Sequence, residues 1–220
     1  MNLRERPIAS TPLIAGRLCL DFVNTVGGRQ SISSPDPLAT VAYQVTDDKF
    51  TDYLDLLAWS LLTGVLTEPE ATQLAHLADQ HPAEATSVKE RAIALREVIY
   101  RISLAIIHQT EPQPADLERL NQEVARGYSH LKITLQPSNT FTWGWSGEGA
   151  ALDQMLWRIA DSAAELFTGG ELTRIRQCGG EGCGWLFEDT SRNSRRQWCD
   201  MQTCGNLAKV RRFRSRQRTS

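Results

Sequence analysis

Four cysteines near the C-terminus have the residue type and spacing of a metal site. Two pairs, each with four residues between its cysteines, are separated by 15 residues, and the set is Cys178, Cys183, Cys199 and Cys204. Zinc prefers four tetrahedral ligands, and thiolates in two close pairs supply them from two short loops. Because the protein would fill all four positions, no water molecule could be activated there. We therefore expect one structural Zn²⁺ per chain, with unrelated thiols or a redox pair as the alternatives.

The fifth cysteine, Cys19, stands between Leu18 and Leu20, which is typical of a small buried apolar side chain. The first residues lack the apolar core of a signal peptide, and no run approaches the roughly 18 apolar residues of a membrane-spanning helix. We therefore expect a cytoplasmic protein with no membrane partner. In that compartment, thiols bind metal more often than they form disulfides.

Charge is distributed unevenly between the two ends of the chain. Residues 174–220 contain 11 Lys and Arg against 4 Asp and Glu, a net charge of +7, whereas residues 1–173 contain 13 against 22, a net charge of −9. A basic segment of this kind indicates a polyanionic partner. The alternatives are that the two parts attract each other, or that the segment is simply a solvated face.

The basic residues fall into two groups around the second cysteine pair. A predicted helix over 206–218 carries most of them, and an apolar stripe of Leu207, Val210 and Phe213 is expected to pack on the zinc module. Arginine suits bidentate contact with phosphate or guanine, so we expect a nucleic acid as the partner. The candidate nucleic-acid-binding residues are Arg192, Arg195 and Arg196 before Cys199, and Lys209, Arg211, Arg212, Arg214 and Arg216 on the helix.

The rest of the chain is mostly helical by its pattern. Apolar residues repeat at intervals of three and four in five segments: 50–61, 67–80, 87–108, 117–127 and 149–167. Thr67 and Glu70 have the spacing of a capping box at the start of the second segment. Alternation over 130–137 and 140–145 predicts a β-hairpin, and the polar residues 29–47 predict a loop.

These patterns predict an α+β fold, mostly α: a helical N-terminal domain with a small β-hairpin, plus a small zinc-binding module ending in a basic helix. Gly169-Gly170 marks the boundary, giving domains 1–170 and 171–220. A module this short buries little apolar surface and depends on its metal. We therefore expect chelation to unfold residues 174–220 and to leave the helical part folded.

Three polar residues near the N-terminus, Asp21, Asn24 and Thr25, lie among apolar neighbours and could line a ligand pocket. The alternative is that they cap a helix or satisfy buried backbone groups. Trp143, Trp145 and Trp157 likewise predict either a ligand cavity or, more simply, core packing. The four histidines have no metal-binding spacing, and neither a phosphate loop nor a nucleophile elbow is found. No catalytic residue, and no enzyme, is predicted.

Two segments resemble a known family. CGWLFEDTSRNSRRQWCDMQTCGNLAKVRRFRSR (183–216) and LCLDFVNT (18–25) are similar to bacterial transcription regulators that pair an N-terminal ABATE domain with a C-terminal CGNR-type zinc finger. The resemblance covers nearly the whole chain. It implies a DNA-binding finger with the four cysteines as ligands, and a sensing domain. The arginine that gives the finger its name is Leu207 here.

Three hypotheses about function remain open. The first is a regulator whose N-terminal domain senses a small molecule or forms a homodimer, while the zinc module binds DNA. The second is an enzyme with a pocket at Asp21 and Asn24 and the finger as scaffold, which would show a carboxylate of perturbed pKa in a cleft. The third is a zinc module that binds RNA or protein, although its tail has few aromatic residues for stacking on bases.

Overall fold

The computed structural model describes residues 2–31, 43–147 and 150–218. Helices predominate within these ranges, and three separate two-stranded antiparallel sheets are present. The helices are α1 (Leu18–Val23), α2 (Tyr53–Leu62), α3 (Glu68–Gln80), α4 (Pro82–Ile107), α5 (Pro114–Tyr128), α6 (Gln154–Gly169) and α7 (Asn206–Arg218). The strands pair as β1 (Val26–Ser31) with β2 (Tyr43–Asp48), β3 (Leu131–Leu135) with β4 (Phe141–Trp145), and β5 (Ile175–Gln177) with β6 (Leu186–Glu188). The expected class, α+β and mostly α, is confirmed.

The helix boundaries follow from local side-chain chemistry. The capping box at α3 is present, because the backbone N–H and the hydroxyl of Thr67 both donate to the Glu70 carboxylate, at 2.7 and 2.6 Å. Helix α4 begins at Pro82 rather than at residue 87, since proline is well tolerated in the first turn of a helix. Helix α6 begins at Gln154, and the predicted start, residue 149, lies outside the described residues.

The prediction of a loop over 29–47 was wrong at both ends. Strands β1 and β2 form an antiparallel pair from Val26↔Asp48 to Ser31↔Tyr43, and the residues between them, 32–42, lie outside the described ranges. The sequence did not predict these strands because they are rich in polar residues. On one side of the pair, the polar side chains bond to other parts of the chain, so no apolar face marks the strands. The preceding apolar segment, whose few residues allow either a short strand or the start of a helix, forms the short helix α1.

A single apolar core runs through the described parts of the chain. Its centre lies between α1, α2, α4 and α6, where the rings of Phe22 and Trp59 are 5.2 Å apart. Ile175, Leu186 and Phe187 from the C-terminal segment are fully buried in the same core. The C-terminal segment is thus packed on the helical part. Burial of side chains of this size contributes about 1.5–3 kcal/mol each to the stability of the fold. None of the described helices combines the length and the apolar character needed to cross a bilayer.

Candidate metal centre and basic surface

The four cysteines converge on one point. Their Sγ atoms all lie within 4.8 Å of one another, and the separations Cys183–Cys199 and Cys199–Cys204 are 3.7 and 3.6 Å. Tetrahedral zinc with bonds of about 2.3 Å to sulfur places its ligands about 3.8 Å apart. No disulfide joins these thiols, so all four are available as thiolates. The donor set and the spacing both fit a Zn²⁺ ion enclosed by protein.

Two turns bring the cysteine pairs together. Cys178 and Cys183 lie in the turn between β5 and β6, and Gly182 and Gly184 adopt positive φ values of 71° and 63° on either side of Cys183. A side chain larger than hydrogen is strained in that conformation, which explains the glycines there. Cys199 ends the long loop after β6, and Cys204 lies in a single π-helical turn, Met201–Gly205, that leads directly into α7.

The environment of Cys178 favours its thiolate form. The thiols of Cys183 and Cys199, together with the backbone N–H groups of Cys199 and Gly180 at 3.3 and 3.4 Å, hold the pKa of Cys178 well below its usual range. Cys19 behaves differently, because complete burial raises the pKa of that thiol to about 12. Cys178 is therefore the first of the three cluster thiols to lose its proton, because the same contacts raise the pKa of Cys183 and of Cys199. Cys19 is an apolar core residue, as the sequence predicts.

Hydrogen bonds of two of its own side chains stabilise the loop before Cys199. The buried Asp189 carboxylate accepts hydrogen bonds from the backbone N–H of Ser191 at 2.9 Å and of Arg196 at 2.8 Å. The Arg196 guanidinium donates to the carbonyls of Trp198, Cys199 and Ile14 and lies 4.3 Å from the Phe187 ring centroid. Arg196 therefore orders the metal loop, and the nucleic-acid contact predicted for this half-buried residue stays a prediction.

The other predicted nucleic-acid-binding side chains are exposed, and together we call them the basic surface: Arg192, Arg195, Lys209, Arg211, Arg212, Arg214 and Arg216. Arg211 forms a surface ion pair with Glu181 at 2.6 Å. The indole of Trp198 lies against the backbone of both Gly179 and Gly205, so the loop and the start of α7 are fixed relative to the metal. The prediction that Leu207, Val210 and Phe213 pack on the zinc module was wrong, since all three are exposed.

Two protein-family models match the chain. Residues 174–217 match the model described as CGNR zinc finger. Residues 16–170, well over half of the chain, match the ABATE model, described as "Putative stress-induced transcription regulator". The chain belongs to this family. No curated protein sequence matches it. The family is one of regulators, and the CGNR finger of this chain holds one structural zinc ion through Cys178, Cys183, Cys199 and Cys204.

The predicted ligand-pocket residues of the ABATE part lie in the interior. Asp21 accepts a hydrogen bond from the Ala15 N–H at 2.9 Å, and the Thr25 hydroxyl donates to the Phe22 carbonyl at 2.7 Å. Burial raises the pKa of Asp21, and the N–H groups of Ala15 and Ile14 act in the opposite direction. These contacts favour the alternative reading, in which the polar residues satisfy buried backbone groups.

Asn24 joins the ABATE part to the CGNR finger. Its side-chain amide donates to the Leu186 carbonyl at 2.8 Å and accepts from the Leu186 N–H at 2.9 Å, as a neighbouring strand would. The Trp185 indole N–H donates to the Val26 carbonyl at 2.9 Å, and Arg17 forms an ion pair with Glu188 at 2.8 Å. The finger is therefore docked on the ABATE part by directed bonds as well as by apolar packing.

Replacing the Asn24 amide should lower the stability of the folded protein. Asn24→Ala leaves the N–H and the carbonyl of Leu186 buried without partners, so we expect the free energy of unfolding to fall by about 2–4 kcal/mol. Urea unfolding at constant zinc concentration measures this loss. Asn121→Ala, at an exposed position on α5, is the matched control and should change the value by less than about 0.5 kcal/mol. Equal losses in the two variants would contradict the assigned role of Asn24.

Sequence reasoning missed a buried ion network beneath the first cysteine turn. Glu97 of α4 accepts from Arg29 at 3.1 Å, from Arg96 at 2.8 Å and from the Tyr43 hydroxyl at 2.9 Å. Arg96 also donates twice to Asp48, at 2.8 and 2.6 Å. The Arg29 guanidinium lies 4.0 Å from the Tyr100 ring centroid, and the Arg29 N–H donates to the Cys183 carbonyl. The network thus connects the ABATE part directly to a zinc ligand.

Proposed function

We propose that this chain is a transcription regulator that binds double-stranded DNA through the basic surface of its CGNR finger. In this proposal, residues 171–220 form the DNA-binding unit and residues 1–170 form a unit that senses a signal or joins two copies. Family membership supports a regulator over an enzyme. The observation that carries the proposal is the distribution of charge in the finger, where each acidic group bonds to a neighbouring residue and the side chains of the basic surface are exposed.

Each acidic residue of the finger is engaged by a neighbour. Glu188 pairs with Arg17 of the ABATE part, and Asp189 orders the metal loop. Asp200 accepts from the backbone N–H groups of Gln202 and Thr203 at 3.1 and 3.2 Å, which fixes the turn before α7. Glu181 pairs with Arg211. Apart from Glu181, the exposed charges beside α7 are therefore cations, and a face of this kind is the electrostatic footprint of a nucleic-acid-binding protein.

Helix α7 has the dimensions and charge of a DNA-reading helix. An α-helix with its side chains is about 10–12 Å wide, which fits the major groove of B-DNA, about 12 Å wide. The exposed Leu207, Val210 and Phe213 would contact the methyl groups of thymine. Like charges one turn apart, such as Lys209 and Arg212, destabilise a free helix, and neighbouring phosphates would relieve that repulsion. Leu207, in place of the usual arginine, shifts this contact from charge to apolar surface.

Binding to a random-sequence duplex, followed by fluorescence anisotropy over a salt series, tests the proposal. With about five phosphate contacts, the logarithm of the association constant should fall with log salt at a slope of about −4 to −5. The double variant Lys209→Gln/Arg212→Gln should bind more weakly, with a slope less steep by about 1–2 units. Arg119→Gln/Arg126→Gln removes the same charge from the exposed face of α5 and should bind as the native chain does.

Three results would count against the proposal. Absence of binding at low salt would mean that the basic surface serves another partner. Equal weakening in both double variants would mean that net charge alone, rather than α7, determines binding. A preference for single-stranded RNA over duplex DNA would favour an RNA-binding finger.

A further inference from the structure

The hairpin β3–β4 exposes large apolar side chains. Phe141 is 74% exposed, Trp143 66%, Ile133 64% and Leu135 60%. Sequence reasoning favoured core packing for Trp143, and the structure instead places it on the surface. Contiguous apolar patches of this kind, unlike single apolar residues, mark interaction sites on soluble proteins.

These side chains share one face of the hairpin. The antiparallel register pairs Leu131 with Trp145, Ile133 with Trp143, and Leu135 with Phe141. Because side chains alternate between faces along a strand, all six lie on the same side. The reverse side presents Lys132, Thr134, Thr142 and Gly144.

The base of the hairpin is anchored in the fold. The Trp145 ring lies 6.1 Å from that of the buried Trp157 on α6, and the His130 ring stacks on Trp157 at 3.8 Å. The apolar face thus begins in the core and continues outward along the hairpin. A two-stranded hairpin is only marginally stable by itself, so its exposed outer half gains stability from a covering partner.

We propose that this apolar face is the interface through which two copies of the chain form a symmetric dimer. A fully buried aromatic side chain covers about 150–250 Å², so the four exposed residues together present roughly 500 Å². A stable interface covers about 800 Å² on each partner, with an apolar centre and a polar rim. The patch therefore has the size of the centre of such an interface, and adjacent polar residues of the hairpin and its surroundings supply the rim.

The absence of charge on this face permits a two-fold contact with a second copy. A two-fold contact places each residue against the same surface of the partner, which any cluster of like charges would oppose. None of the six residues on this face is charged, and Lys132 lies on the reverse side. A nucleic acid would require cations that this face lacks. The Ile133–Trp143 pair, midway along the hairpin, lies nearest the proposed two-fold axis.

Sedimentation velocity across a range of concentrations tests the dimer. The native chain should sediment at twice its monomer mass of 24.6 kDa. Trp143→Glu places two carboxylates near the axis and should sediment as a monomer, with a dissociation constant raised at least 100-fold. Thr142→Glu introduces the same charge at the neighbouring exposed residue on the reverse face, and it should remain a dimer.

Each other outcome overturns the proposal. A native chain that stays monomeric at high concentration excludes this dimer whatever the variants do, and would leave the face for a different protein. A dimer retained by Trp143→Glu excludes this interface. Circular dichroism of both variants checks their folding, and Ile133→Thr, a milder change on the same face, replaces Trp143→Glu if that variant does not fold. The dimer is independent of DNA binding, since a monomeric variant would still carry the basic surface.

Discussion

Chelation of the zinc ion is expected to unfold the ABATE part together with the CGNR finger. Apparent binding energies of about 10–16 kcal/mol are typical for structural zinc in finger peptides. That is comparable to the whole net stability of a typical domain, about 5–15 kcal/mol. Ile175, Leu186 and Phe187 belong to the core shared with α1 and α4, so loss of the finger would also expose apolar surface of the helical part. The unfolding should be one cooperative transition, accompanied by loss of the proposed DNA binding.

Thermal unfolding followed by circular dichroism, with and without a strong chelator, measures this effect, and added zinc should restore the native transition. Cys204→Ser should purify with less than one zinc ion per chain and melt at a lower temperature. Cys19→Ser is the matched control, because a hydroxyl can retain the bond to the Ser162 carbonyl and the zinc content should stay at one. An unchanged helical transition, with proteolysis confined to residues after 174, would show that the finger unfolds alone, as composition suggests.

Glu97→Gln is expected to lower the free energy of unfolding by about 3–5 kcal/mol, the usual cost of breaking a buried ion pair from one side. The Arg29 side chain is completely buried, so its charge would lose its carboxylate partner and keep the uncharged Val23 carbonyl, at 2.9 Å, and the rings of Tyr43 and Tyr100. Glu90→Gln, on the exposed face of the same helix, should change stability by less than about 0.5 kcal/mol. Urea unfolding of the zinc-loaded proteins at neutral pH provides the comparison.

The same variant predicts a specific pH dependence. Burial alone would raise the pKa of Glu97, but the charges of Arg29 and Arg96 and the bonds from Arg96 and Tyr43 outweigh it and hold that pKa below its ordinary value. The stabilisation is therefore fully present above about pH 5 and is lost as pH falls through the ordinary carboxyl range toward the folded value. Below pH 5, the native chain should lose stability more steeply than Glu97→Gln.

Comparing the two proteins cancels the acid lability of the zinc site, which they share. If the difference in unfolding free energy between the native chain and Glu97→Gln stayed constant from pH 7 to the acid limit, protonation of Glu97 would have no effect on stability. The ion pairs assigned to Glu97 would then be wrong.

The parts of this fold that depend on local chemistry could be predicted from the sequence. Cysteine spacing predicted the metal centre, the Thr67–Glu70 pair predicted the start of α3, and strict alternation predicted β3 and β4. Each of these signals lies within a short stretch of chain, where geometry is determined by spacing alone. The basic helix α7 was predicted for the same reason.

The features that sequence reasoning missed depend on contacts between distant segments. Arg29 is 68 positions from its partner Glu97, and Asn24 is 162 positions from Leu186, so no periodicity could reveal either pair. Strands β1 and β2 escaped detection because their polar side chains bond to α4 instead of solvent. Phe213 was predicted to pack on the zinc module, which requires that face of α7 to lie against the module. The side chain is exposed instead.

The bonds along β6 also protect the chain from mispairing. A strand at the edge of a small sheet offers unpaired N–H and carbonyl groups, which invite pairing with another chain and aggregation. Here the outward N–H and carbonyl of Leu186 are taken by the Asn24 amide, and the outward N–H of Glu188 donates to the Ala15 carbonyl at 2.8 Å. A foreign strand would have to displace a buried side chain before it could add to this sheet. Strand β6, which follows the first cysteine turn, therefore cannot serve as a template for amyloid-like growth while these bonds are intact.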